Sequence, residues 1–176
     1  MKTFLEIGTC DFQTLNFLSD WGWRGVMVEP VKKYLNNIEQ KPNIHYLNYA
    51  VDWECGTRTM YMASDDIVNQ DHDFAGMTSF YQMNNSLVNE LVVNTITFEK
   101  IFELCDITQI DILKIDAEGH DLELLKMFPF HLLTPKCIQL EHEHIDWKEM
   151  QQFLTDKMYY WVSNETDTIA YYAGNE

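Results

Sequence analysis

Short apolar runs alternate with helix-length amphipathic segments along almost the whole chain, and this alternation constrains the fold more than any other feature. Thr3–Ile7 is a buried-strand pattern closed by Gly8, and Gly25–Glu29, Asn43–Tyr49, Ile110–Ile115 and Lys136–His142 repeat it. Helical patterns fall between them. Gln13–Trp21 places Leu15 and Leu18 on one face, Val31–Glu39 follows Pro30, and Thr97–Cys105 starts on a Thr97 cap. Gly119–Phe128 and Trp147–Asp156 read as two more helices. Gly56–Met62 reads as a half-exposed strand and Leu91–Ile96 as a further strand, while Met158–Ser163 and Thr168–Tyr172 form a C-terminal antiparallel hairpin around Asn164–Asp167. The expected fold is therefore α/β, with a doubly wound, mostly parallel sheet and helices on both faces. No repeat or linker interrupts the pattern, so 1–176 reads as a single domain. Within it, 63–90 has the weakest periodicity and many Asp, Asn and Ser residues, the mark of a substrate lid or loop.

Charge removes several classes of partner. The chain has 28 Asp and Glu against 12 Lys and Arg, a formal net charge of −16. Such a surface repels phosphate backbones and anionic lipid, so no nucleic-acid partner is expected. No apolar run is long enough to span a membrane, and no signal-peptide pattern is read near Met1. Cys10, Cys55, Cys105 and Cys137 contain no C-x-x-C pair, which disfavours a zinc knuckle and suits reduced thiols in a cytoplasmic protein.

In open α/β sheets, ligands bind beyond the carboxyl ends of the strands. The first strand ends in Glu6-Ile7-Gly8-Thr9-Cys10-Asp11-Phe12, where Gly8 lets backbone approach a ligand and Glu6 can hold an ammonium group. G-x-G-x-x-G is absent, which weakens a pyrophosphate-bearing dinucleotide. Glu29-Pro30 ends the second strand, 23 positions beyond Glu6, where a carboxylate accepts both ribose hydroxyls. A nucleoside without pyrophosphate, held by acidic groups, points to S-adenosyl-L-methionine. Trp53, just after the third strand, is a rim residue or a flank for adenine.

The Ile110–Ile115 strand leads into Asp116-Ala-Glu118-Gly-His120-Asp121, where two carboxylates and an imidazole stand together as helix caps, proton acceptors or metal ligands. In Glu141-His142-Glu143-His144, alternation sends the glutamates one way and the histidines the other. Asp116, Glu141 and His142 are the candidate ligands of a divalent metal. His45, His72 and His131 have no evident partner and read as structural or exposed.

The segments FLEIGTCDF, GVMVEP, NYAVDWECGTRTMYM, TITFEKIF, DILKIDAEGHDLELLKMF and QLEHEH run in this order from Phe4 to His144. Together they resemble the FkbM-type family of S-adenosylmethionine-dependent methyltransferases. The resemblance implies the Rossmann-like class I methyltransferase fold, a seven-stranded sheet with its last strand inserted antiparallel. It implies that Glu6, Gly8 and Thr9 line the methionine part of the cofactor, that Glu29 holds the ribose in the VEP turn with Pro30, and that Ala50, Val51 and Asp52 border adenine. Asp116 and Glu118 would stand at the methyl-transfer site, with Asp116 or Glu118 as base and His120 or His142 as competitors. The implied reaction is O-methylation of a sugar, glycan or related small polar hydroxyl acceptor. Many relatives carry a second glycine where this chain has Phe12, so the turn is expected to be built differently, with Asp11 capping the helix. Because the sequence begins almost at its first strand, the substrate cover is expected from 63–90, from another subunit of a homo-oligomer, or from a neighbouring domain of a longer protein. Two other readings stay open: a non-catalytic binding module of the same fold, and an NAD-dependent oxidoreductase.

Overall fold

The computed structural model describes residues 1–12, 14–70, 74, 76–81 and 88–175. His72 and much of the expected lid, at 71–73, 75 and 82–87, lie outside the described residues.

The strands are β1 (Thr3–Ile7), β2 (Arg24–Val28), β3 (Ile44–Leu47), β4 (Ala50–Val51), β5 (Gly56–Ala63), β6 (Val88–Ile96), β7 (Ile112–Ile115), β8 (Cys137–Glu141), β9 (Tyr159–Ser163) and β10 (Asp167–Tyr172). The α-helices are α1 (Lys32–Asn37), α2 (Asp65–Val68), α3 (Phe98–Leu104), α4 (Asp121–Met127) and α5 (Trp147–Asp156). Seven strands form one sheet in the order β3-β2-β1-β7-β8-β10-β9. The β3-β2, β2-β1, β1-β7 and β7-β8 pairs are parallel, whereas β10 lies antiparallel between β8 and β9. The expected fold class and the inserted antiparallel strand are both present. β4, β6 and β5 form a separate three-stranded sheet that the sequence pattern did not reveal.

The main sheet is buried on both faces. Leu5, Ile7, Val26, Val28, Leu113, Ile115, Ile138 and Leu140 pack with Phe98, Ile101, Leu124 and Leu125 of the helices. Phe4 and Met27, pointing the other way, pack with Leu15, Leu18, Leu35 and Ile38. Alternation therefore puts Glu6 and Lys114 on the Phe4 face, inside the protein.

One helix behaves differently from its pattern. The expected helix over 13–21 is a 3-10 helix at Asn16–Trp21. Asn16, Ser19 and Asp20 are poor helix formers whose side chains compete for backbone groups. Its cap position is Leu15, which offers no side-chain acceptor; Glu6 accepts the Leu15 amide instead (3.1 Å). Asp11, the expected cap, accepts from Asn37 Nδ2 at 3.0 Å. Thr97 does cap α3, accepting the Lys100 amide at 3.2 Å.

The strand order reverses between β1 and β7, and here the backbones converge. Gly8 has φ +77°, and a Cβ on it would stand 1.7 Å from the Asp116 carbonyl oxygen. Only glycine fits, so β1 and β7 deliver their next residues to one point.

Candidate active site

A cleft opens at this switch point. Among the expected residues, Gly8, Glu29, Pro30, Ala50, Val51, Asp116, Glu118, His120 and Glu141 line it. Thr78 and Phe80, from the expected 63–90 lid, also line it, as do Tyr34 and Met60, which the sequence pattern did not mark as site residues.

Glu29 sits at the end of β2 with 4% of its surface exposed. Its Oε2 accepts the Cys10 amide at 2.8 Å and its Oε1 the Val31 amide at 2.7 Å. The Asn48 amide group donates to the Glu29 and Pro30 carbonyls (2.9 and 2.8 Å), fixing the turn. Burial pushes the Glu29 carboxyl up to about 7 against the opposing pull of those two amides. Each oxygen keeps lone-pair capacity for a further donor.

The first strand delivers different residues than expected. Glu6 is fully buried and does not line the cleft. Its Oε1 lies 3.6 Å from Lys114 Nζ, and burial raises its carboxyl above the usual value. Thr9 is also buried, its hydroxyl without a partner among the described residues, and neither Thr9 nor Asp11 lines the cleft. Cys10, at φ +46°, and Phe12 line it instead. Asp52 turns away to an ion pair with Arg58 at 2.9 Å. Trp53 is exposed and flanks nothing in the cleft.

At the end of β7, the question of capping is settled by Asp121. Its carboxylate accepts the Ala117 amide at 2.8 Å and the Gly119 amide at 3.0 Å, closing the turn. Asp116 and Glu118 are left to the cleft, Glu118 with φ +49°. They meet Glu141 from β8, and one carboxylate oxygen of each lies within 4.8 Å of the others. Burial, then the nearby Asp116, Asp121 and Glu143, pushes Glu118 up to about 7. Burial, then Glu118 and Asp116, pushes Glu141 up to about 8. Lys114, absent from the expected site, is buried and donates to Asp116 Oδ2 at 2.9 Å. The sequence signal was present: a lysine at an inward position of the otherwise apolar run Ile112–Ile115.

The histidines part company. His142 is directed away from the cleft, its Nδ1 3.0 Å from Thr168 Oγ1 on β10 and its ring beside Trp147. Strand alternation brings Glu141 inward and therefore His142 outward, so His142 does not join Asp116 and Glu141 as a ligand or base among the described residues. His120 is 5% exposed and neither ring nitrogen has a partner among the described residues. It packs edge-on against Phe80 at 5.1 Å, and Phe80 lies under the Arg58 guanidinium at 3.9 Å. Burial lowers the imidazole below its usual value, keeping it neutral at pH 7.

Segment Gly76–Tyr81 forms one wall. The Ser79 and Tyr61 backbones exchange two hydrogen bonds (2.8 and 2.9 Å), and Ser79 Oγ donates to the Glu118 carbonyl at 2.9 Å.

A doubly wound sheet with one inserted antiparallel strand, and a carboxylate-lined cleft at its switch point, defines a Rossmann-like methyltransferase architecture. Residues 6–167 match the methyltransferase FkbM domain family, and the chain belongs to that family. No curated protein matches the chain.

Proposed function

We propose that the protein is an S-adenosylmethionine-dependent O-methyltransferase acting on a hydroxyl of an uncharged polar acceptor, of which a sugar or glycan is the leading class. The observation that carries this reading is the meeting of Asp116, Glu118 and Glu141 in the same cleft as Glu29. The residues present fit the cofactor: Glu29 retains acceptor capacity for two hydroxyls, and Gly8 allows close backbone approach. When bound, S-adenosylmethionine supplies a methyl group on a sulfonium with a neutral leaving group. Glu29 holds the ribose, and Ala50, Val51 and Met60 form the apolar wall beside it. His120 shares that wall through Phe80, so its neutral imidazole offers one donor and one acceptor to the adenine edge rather than a base to the acceptor.

An alcohol is a weak nucleophile until its proton leaves. Glu118, with its carboxyl near 7, takes that proton, and Asp116 orients the hydroxyl. The described lining contains four carboxylates and no Lys or Arg, so a phosphate- or carboxylate-bearing acceptor finds no counterion there. The same three carboxylates are the set that would hold a divalent cation, which would acidify the acceptor hydroxyl.

Calorimetric titration with S-adenosylmethionine, S-adenosylhomocysteine and NAD tests the cofactor, and labelled-methyl transfer to a panel of methyl glycosides tests the acceptor. Binding of the first two and not NAD is expected. Glu118→Gln should retain cofactor binding and lose about 100-fold in turnover. Full turnover in that variant removes Glu118 as the base, and loss of activity in excess chelator assigns the proton step to a metal.

A further inference from the structure

Lys114 is opposite Glu6 in the β1–β7 register, and the side chains of both are buried on the same face of the sheet. Lys114 Nζ reaches forward along its own strand to Asp116 Oδ2 at 2.9 Å and stands 3.6 Å from Glu6 Oε1. Glu6 is in turn held by the Leu15 amide, at the start of the 3-10 helix. The result is a row of three charges, negative-positive-negative, running from inside the protein to the cleft. Two of them have 4% exposure or less. Stability does not require such a row, because a buried ion pair gives little net free energy over apolar residues of similar size. The row has a geometric effect instead. It occupies one oxygen of Asp116 and leaves the other for the cleft.

We propose that Lys114, braced by Glu6, is a positioning residue that fixes the Asp116 carboxylate in a single orientation toward the reacting groups. This rests on the methyltransferase reading above but makes a separate claim about residues that line no part of the cleft. A lysine next to an active-site carboxylate would, if unbraced, fold its cation over both oxygens and blunt them. Glu6 draws the ammonium back and keeps one Asp116 oxygen clear. The arrangement also explains why β1 carries a glutamate that does not line the cleft.

The test is the double variant Glu6→Gln with Lys114→Met, which removes both charges and leaves neither stranded. Thermal unfolding shows whether it folds. It is compared with the wild type, with Asp116→Asn, and with all three changes combined. The expected result is a native melting profile, an S-adenosylhomocysteine affinity within about twofold of wild type, and a turnover reduced about tenfold or more with acceptor KM little changed. No further loss should appear when the double variant is placed on Asp116→Asn, because the brace acts only through Asp116. A second readout needs no turnover: the relative affinity for sulfonium S-adenosylmethionine over its neutral thioether product should fall in the double variant and in Asp116→Asn alike. Unchanged turnover and unchanged preference overturn the proposal, as does a loss that persists in full on Asp116→Asn. If the double variant does not fold, Lys114→Arg decides: it keeps the cation, so a native turnover supports a charge-held Asp116, and the full tenfold loss in a folded protein overturns it. Failure of the wild type to bind either cofactor form would instead sink the methyltransferase reading.

Discussion

Gly8 is where single-atom sterics set the site. Its positive φ and its approach to the Asp116 carbonyl mean that Gly8→Ala must either strain the turn or push β7 away from β1. The expected cost is about 2–4 kcal/mol in denaturant unfolding, with cofactor binding weakened in whatever remains folded. A wild-type midpoint would show that the two strand ends are free to separate. Glycine after a strand was a legible sign in the sequence, as were Glu29, Asp116 and Glu118, since each lies within three residues of a strand end. The burial of Glu6 outside the cleft lining was not legible, because type and position alone do not show which face of β1 it takes. The neighbouring Lys114, the Leu15 amide and the Thr14 side chain accompany its burial. His142 illustrates the same point in reverse. Its alternation with Glu141 was legible, but which of the two faces the cleft depends on β10, contributed from the far end of the chain.

At the scale of elements, the wall Gly76–Tyr81 depends on few bonds. Ser79 links β5 to the turn after β7 through its backbone and its hydroxyl. Ser79→Ala removes the hydroxyl's bond to the Glu118 carbonyl and the one it accepts from the Tyr81 amide, together worth about 1 kcal/mol. Amides of Tyr61 and Ser79 should then exchange faster with solvent, while the global melting temperature barely moves. Unchanged exchange would mean that Phe80, packed between Arg58 and His120, holds the wall alone. The strand that follows it was hard to foresee. Periodicity finds strands that are buried on one or both faces, whereas none of the first five residues of β6 is buried. It therefore begins at Val88, earlier than its apolar run from Leu91 suggested. The small second sheet relies on pairings between β4, β5 and β6 that no local pattern encodes. By contrast α5, with a clear apolar stripe and an Asp146 cap, falls at the expected residues.

For the whole molecule, acidity is the governing property. Burial pushes Asp121 up to about 6, Glu29 and Glu118 to about 7, and Glu141 to about 8. Unfolded carboxyls titrate near 4. Between those values the native protein holds protons that the unfolded chain has released, so stability falls as pH rises through the window. The surplus of 16 negative charges acts in the same direction, since acidification relieves repulsion. The ligand-free protein should melt several degrees higher at about pH 5.5 than at about pH 8. A flat or inverted profile would show that these carboxyls are ionised in the folded state.

The position of β10 carries a further consequence, for the order of assembly during synthesis. The strand that bonds to both β8 and β9 is the last of the ten to leave the ribosome. Until it emerges, β9 has no neighbour to join, and β8 presents a bare edge. Hairpin formation between β9 and β10 is local and fast, so the two arrive as a preformed clasp that docks onto β8 in one late step. The Asp167–Glu141 pairing lies within that dock. The β8 end of the carboxylate cluster therefore gains its antiparallel strand partner only after β10 has been synthesised.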